Sequence, residues 1–165
     1  MKKWVILVVS MVLGLSIITG CKVKKVEEVT DAEKVALEYT ISKENPFRYV
    51  TIDETLTLLQ QDGILYIGYP ESDTSRKVVS ILTDVCKNQE ITISYYNPKT
   101  TISKEQQTML LQLLDQDEII VPAIYVIKDG AIVAKDTSLA KEKVDYFTEE
   151  QEQQLTEKYK NLLNQ

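Results

Sequence analysis

Histidine is absent from this chain of 165 residues. Imidazole is the ordinary general base near neutral pH, the usual partner of a nucleophilic serine or cysteine, and a common zinc and copper ligand. Its absence removes Ser-His and Cys-His pairs and nearly every site for those metals. Cysteine is almost as scarce, with Cys21 and Cys86 alone. Clustered basic charge is missing too: the net charge is −6, and Lys22, Lys24 and Lys25 form the only dense basic run. Phosphate backbones are bound by clustered Lys and Arg, so nucleic acid is excluded as a partner. Acidic residues gather near the C-terminus at Glu149, Glu150, Glu152 and Glu157, but without the spacing of a cation-binding loop. They read as a solvated surface, and neither metal nor cofactor is assigned. There is no internal repeat and no low-complexity tract.

Long apolar runs are also lacking, except at the start. Lys2 and Lys3 precede an almost wholly apolar stretch from Trp4 to Ile18, and Ile18-Thr19-Gly20 leads into Cys21. The stretch is short for a membrane-spanning helix, which needs about 20 residues, and has the layout of an export signal. The run into Cys21 resembles the lipobox of bacterial lipoproteins. That resemblance implies a signal peptide over residues 1–20, removed so that Cys21 becomes the first residue and carries a diacylglyceryl thioether with palmitate-type chains. Multiple acyl chains anchor a protein stably, which implies a location on the extracytoplasmic face of the cell membrane. The chain from Cys21 onward carries 17 basic and 25 acidic residues, a net charge of −8, and Cys86 is then its only unmodified thiol, so no internal disulfide can form. Residues 21–30, short and charged, read as a tether, 31–46 as an N-terminal extension, and 47–165 as one domain.

Downstream, strand and helix patterns alternate with short connections, which argues for an α/β layered domain. Thr30 caps a helical turn over Asp31 to Leu37, Glu38 to Ser42 reads as a short strand, and Asn45-Pro46 ends what precedes it. Phe47 to Thr51 alternates as a strand, and a helix from Ile52 places Leu56, Leu59 and Leu58 inward until Asp62-Gly63. Ile64 to Tyr69 is the continuous apolar run of a central strand. Ser72-Asp73-Thr74 supplies capping oxygens for a helix whose apolar face holds Val78, Val79, Leu82, Val85 and Cys86. Ile91 to Tyr96 is a strand, and Ser103 to Asp115 a helix with Met109, Leu110, Leu113 and Leu114 on one side. Val121 to Ile127 and Ile132 to Lys135 are strands joined through Asp129-Gly130, a tight-turn pair. The final helix, Thr148 to Leu163, buries Leu155, Tyr159, Leu162 and Leu163.

Three features together carry a resemblance to thioredoxin-like proteins over Phe47 to Leu163. The first is the apolar strand running through Gly68-Tyr69-Pro70-Glu71 into a helix, similar to the Gly-Phe-Pro-Glu-Cys-Pro-Trp-Cys opening of small thioredoxin-like proteins of Gram-positive bacteria. The second is Val121-Pro122 before a strand, and the third is the hairpin that follows. The resemblance implies a three-layer domain, a mixed central sheet of about five strands with helices on both faces, and a cis-proline at Pro122. It also implies that Ser72 and Ser75 occupy the two cysteine positions of a Cys-X-X-Cys pair. A serine hydroxyl cannot replace the thiolate: its pKa is beyond the reach of a helix terminus, and oxygen forms no persistent mixed disulfide. Some thioredoxins carry a carboxylate six residues before the first cysteine; here that position is Tyr66.

Ser72 to Ser75 therefore reads either as a helix cap or as a ligand contact, and Cys86, on an apolar helix face, as packing or as a regulatory thiol. The resemblance further implies a groove between Tyr69-Pro70-Glu71 and Val121-Pro122, where the backbone of Val121 can take an extended peptide by strand addition. The leading expectation is a non-enzymatic, lipid-anchored, peptide- or protein-binding module with an unknown extracytoplasmic partner. An envelope thiol-disulfide oxidoreductase or its accessory is the alternative, and a binding lipoprotein of a transport or bacteriocin-export system the second.

Overall fold

The computed structural model describes residues 29–87, 89–140 and 147–165. The expected signal peptide, Cys21 and nearly all of the tether lie outside the described residues. Among the described residues no helix is long and apolar enough to cross a membrane.

The elements run α1 (Asp31–Tyr39), β1 (Phe47–Tyr49), α2 (Ile52–Leu58), β2 (Gly63–Ile67), α3 (Asp73–Cys86), β3 (Ile93–Tyr96), α4 (Lys104–Leu114), β4 (Ala123–Lys128), β5 (Ala131–Asp136) and α5 (Glu149–Leu163). Local chemistry fixes most helix starts. Thr30 with Glu33, Thr51 with Glu54, Ser103 with Gln106 and Thr148 with Gln151 each form a reciprocal capping box, satisfying two orphan amides at once. The α3 start differs, because its third position is Ser75, too short to reach back to the cap backbone.

Two expectations are corrected. Glu38 to Ser42 is not a strand: α1 continues to Tyr39 and ends at Thr40 in the left-handed region (φ 56), with Ile41 N–H bonded to the Ala36 carbonyl at 3.2 Å. Two tertiary contacts favour this longer helix, since Tyr39 is buried and Glu38 accepts the Tyr95 hydroxyl at 2.7 Å. Met109 does not join the buried side of α4; it is 49 % exposed, while Leu110 and Leu114 form the inner stripe.

The sheet order is β1-β3-β2-β4-β5. β1 and β2 run parallel to β3, β4 antiparallel to β2, and β5 antiparallel to β4. Apolar layers cover both faces. One holds Val35 and Tyr39 of α1, Val78, Val79, Leu82 and Val85 of α3, and Tyr159 and Leu163 of α5 around Tyr66 and Tyr95. The other holds Leu56 and Leu59 from the α2 region and Leu110 and Leu114 of α4 around Leu65, Ile67, Tyr96 and Tyr125. Side chains alternate across the pleat, so Tyr66 faces one layer while Leu65 and Ile67 face the other. Burial on both faces explains the unbroken apolar run of β2. This three-layer α/β arrangement, with its five-stranded mixed sheet, is thioredoxin-like, as the motif order implies.

The β4–β5 hairpin turns through Asp129 (φ 51) and Gly130 (φ 71). Asp62 accepts the Asp129 amide at 2.6 Å and the Gln61 carbonyl accepts Gly130 N–H at 3.3 Å, so the α2–β2 corner docks on the turn. A β-carbon at Gly130 would lie 3.1 Å from the Gln60 carbonyl oxygen, and its positive φ disfavours any other residue.

Candidate functional site

The site lies where β2 delivers the chain to α3. Gly68 N–H bonds the Tyr96 carbonyl at 3.2 Å, beyond the last β2–β3 pair, and Ser72 N–H turns back to the Tyr69 carbonyl at 3.2 Å. Ser72 then caps α3. Its Oγ accepts the Ser75 amide at 3.1 Å and its carbonyl accepts the Arg76 amide at 3.0 Å. Arg76 closes the loop from outside: one guanidinium nitrogen donates to the Pro70 carbonyl at 2.5 Å and another pairs with Asp73. The cap expected of Ser72 is present, and Asp73 adds a negative charge beside the positive helix end.

Ser75 is wholly buried, and its hydroxyl is one of the few buried side-chain groups here without a hydrogen-bond partner. Beneath it, Tyr66 donates its hydroxyl to the Ser75 carbonyl at 3.1 Å. Burial pushes the Tyr66 phenol well above its usual value, so it remains a neutral donor. The ring stacks on Tyr95, with centroids 5.9 Å apart. Tyr95 receives Tyr39 edge-on at 5.4 Å and donates to Glu38, so α1 supports the site through two strands. Gly68 is required by the same packing: a β-carbon there would lie 2.4 Å from the Tyr66 hydroxyl oxygen and 2.5 Å from the adjoining ring carbon.

On the facing side the Val121–Pro122 peptide is cis, with Pro122 buried and Val121 half-buried. The β2–β4 register pairs Ile67 with Ala123, which carries Pro122 and Val121 alongside Gly68 and Tyr69 where the ladder ends. Ser72, Ser75, Tyr69, Pro70, Glu71, Val121 and Pro122 therefore gather at one end of the sheet. Cys86 does not. It ends α3, about 16 Å from Ser75 by helix rise, and lines a separate cleft of about 780 Å³ with Phe47 and Thr83. It is 3 % exposed, and burial pushes its thiol up to about 11, which disfavours the reactive thiolate.

Sequence reasoning missed Lys99. It follows β3 in the β3–α4 loop, and its ammonium sits 4.5 Å from the centre of the Tyr69 ring and 3.6 Å from the Glu71 carboxylate. The available signal was Asn97-Pro98 immediately after an apolar strand, a turn at the carboxyl end of a strand parallel to β2, where α/β sheets place their ligands. Lys77, one turn into α3, is half-buried, its ammonium 5.5 Å from the Phe147 ring centre.

In sequence the chain matches no protein-family model and no curated protein. In structure it is similar to thioredoxin from Aeropyrum pernix, with a TM-score of 0.42 and 22 % identity over 54 % of this chain and 73 % of that one. It is also similar to oxidized thioredoxin O2 from Arabidopsis thaliana, with a TM-score of 0.49 and 13 % identity over 72 % of this chain and 96 % of the other. A structure described for thiol resolution of a yeast mitochondrial 1-Cys peroxiredoxin through the glutathione/thioredoxin systems gives 0.39 and 13 %, over 61 % and 86 %. The thioredoxin-like fold of this chain rests on its own strand order, helix layers and Val121–Pro122 step.

Proposed function

We propose that the chain is a lipid-anchored extracytoplasmic binding module that uses the groove between Tyr69-Pro70-Glu71 and Val121-Pro122 to hold an extended segment of a partner protein, without dithiol exchange. The observation that carries this reading is Ser72 and Ser75 at the start of α3, both hydroxyl-bearing where exchange needs sulfur, beside the cis Val121–Pro122 step. The described thiol, Cys86, lies at the far end of the same helix. Lipidation at Cys21 rests on the sequence pattern alone.

Photo-crosslinking in intact cells tests the binding role, with the reactive group placed at Tyr69, at Ser72, and at Gln153 on the exposed face of α5 as control. The expected result is a discrete adduct from the first two positions and none from the third. Equal adducts at all three, or none at the groove, would overturn the proposal. Anchoring is tested separately: Cys21→Ala should shift the protein out of the membrane fraction, and unchanged fractionation would refute it.

A further inference from the structure

Beyond the end of β2, Lys99 of the β3–α4 loop meets Tyr69 and Glu71, on the side of β2 opposite β4. Tyr69 offers a ring face and Glu71 a carboxylate, and the Lys99 ammonium lies against both, 4.5 Å from the ring centre and 3.6 Å from the carboxylate oxygen. An ammonium or guanidinium within about 6 Å of an aromatic centroid is attracted by the ring quadrupole. A carboxylate beside that ring adds charge complementarity.

Two observations make Lys99 a replaceable occupant. Its side chain is 54 % exposed and that of Glu71 62 %, a setting in which ion pairs and cation–π contacts are weak and screened by salt. It also reaches the site from a separate loop, so it can swing away without disturbing the Ser72 cap. Arg76, the other nearby cation, is committed to the Pro70 carbonyl and Asp73.

We infer that the groove recognises an extended peptide carrying a Lys or Arg side chain, whose cation replaces that of Lys99 between Tyr69 and Glu71. The inference rests on the groove reading above and deepens it. A net charge of −6 draws basic partners toward the protein, and Lys99 acts as a built-in competitor that lowers affinity until the peptide cation enters.

The test uses the full chain in detergent micelles and three acetylated, amidated pentapeptides, Ala-Val-Lys-Val-Ala and its Glu and Ala counterparts, with Val121 amide and Tyr69 ring shifts followed by NMR. The Lys peptide should bind more tightly than the Glu peptide. Lys99→Ala and Lys99→Gln should each strengthen Lys-peptide binding about fivefold, the order expected from removing one exposed pair and one cation–π contact, while leaving the Ala peptide within about twofold. Glu71→Gln should erase the Lys preference. Unchanged or weakened Lys-peptide binding in both Lys99 variants, or tighter binding of the Glu peptide to the unaltered chain, would overturn the inference. If the Ala peptide still moves the Val121 amide in that case, the groove reading survives alone; if no peptide moves it, both fall.

Discussion

Two serines three residues apart at the head of α3 should respond to the same substitution with opposite sign. Ser72→Ala removes the side-chain oxygen that accepts the Ser75 amide at 3.1 Å, a cap loss that typically costs about 1 kcal/mol. Ser75→Ala removes a hydroxyl that is fully buried and unpartnered. An unsatisfied buried polar group costs about 1–3 kcal/mol, and alanine exceeds serine in helix propensity by a further ~0.5 kcal/mol. Against this stands the packing lost with one oxygen atom, so the net expectation is stabilisation by about 1–2 kcal/mol. Buried positions rarely behave this way, since point substitutions are on average destabilising by about 1 kcal/mol. Urea unfolding followed by circular dichroism measures both. With a slope of about 1–3 kcal/mol per molar urea, the midpoint should fall by roughly 0.5 M for Ser72→Ala and rise by a similar amount for Ser75→Ala. A Ser75→Ala midpoint below that of the unaltered protein would refute the reasoning, because it would mean that the hydroxyl is satisfied in solution.

Ser72→Cys with Ser75→Cys should close a disulfide under mild oxidation, since positions three apart in a helical turn fall within bridging distance; the short loop limits the gain over the reduced form to about 2 kcal/mol, and thiol titration showing two free sulfurs after oxidation would count against the assigned geometry. Gly68→Ala should destabilise by about 1–3 kcal/mol through overpacking, because Tyr66 is bonded to Ser75 and cannot retreat freely; an unchanged urea midpoint would contradict the close approach. Asp136 is pulled upward by burial but more strongly downward by Lys158 at 2.7 Å and the Ser138 amide at 3.0 Å, so its folded value lies below the usual one. A depressed carboxylate contributes stability above its unfolded value of 3.8 that is lost as pH falls through the folded value. Asp136→Asn should therefore cost about 1 kcal/mol near pH 7, discounted because Lys158 is 43 % exposed, and flatten the acid limb; parallel curves for the two proteins between pH 5 and 2 would refute this.

Most of the architecture was legible because local signals and burial agree. Thr51, Ser103 and Thr148 each have an acidic or amide residue three positions later, and each starts a helix where that pattern predicts. Asp129-Gly130 marks the hairpin because its positive φ angles are intrinsic to those residues. The stretch after Leu37 is ambiguous in sequence because Tyr39, Thr40 and Ile41 favour strand while Glu38 favours helix, and its helical state is decided by Tyr95, which is distant in sequence. Met109 is ambiguous for a related reason: α4 carries five large apolar residues, Met109, Leu110, Leu111, Leu113 and Leu114, and periodicity alone does not say which of them faces the sheet. At the site, Ser72 and Ser75 are visible as substitutions within a pattern and Pro122 as a retained part of it. Lys99 is not, and Gly68 is visible only as part of the motif, because their roles come from side-chain contacts with Tyr69 and Tyr66 that only the folded chain shows.

The site divides into a buried layer and an exposed one, with separable energetic roles. Tyr66, Gly68, Ser75 and the Tyr95–Glu38 contact lie below the loop and pack against its backbone; Tyr69, Glu71, Arg76 and Lys99 are the side chains a partner would meet in the proposed role. A groove held rigid in its free form loses less conformational freedom on binding, so under the proposed binding role the buried layer would aid affinity without touching the ligand. Changes at Tyr69, Glu71 or Lys99 alter only surface contacts and should leave the unfolding free energy within about 0.5 kcal/mol of the unaltered protein. Lys99→Ala, measured for both stability and peptide binding, isolates this division: changed affinity with unchanged stability supports two layers. A stability loss above about 1 kcal/mol would show that Lys99 holds the loop itself, because exposed contacts of this kind rarely exceed that value.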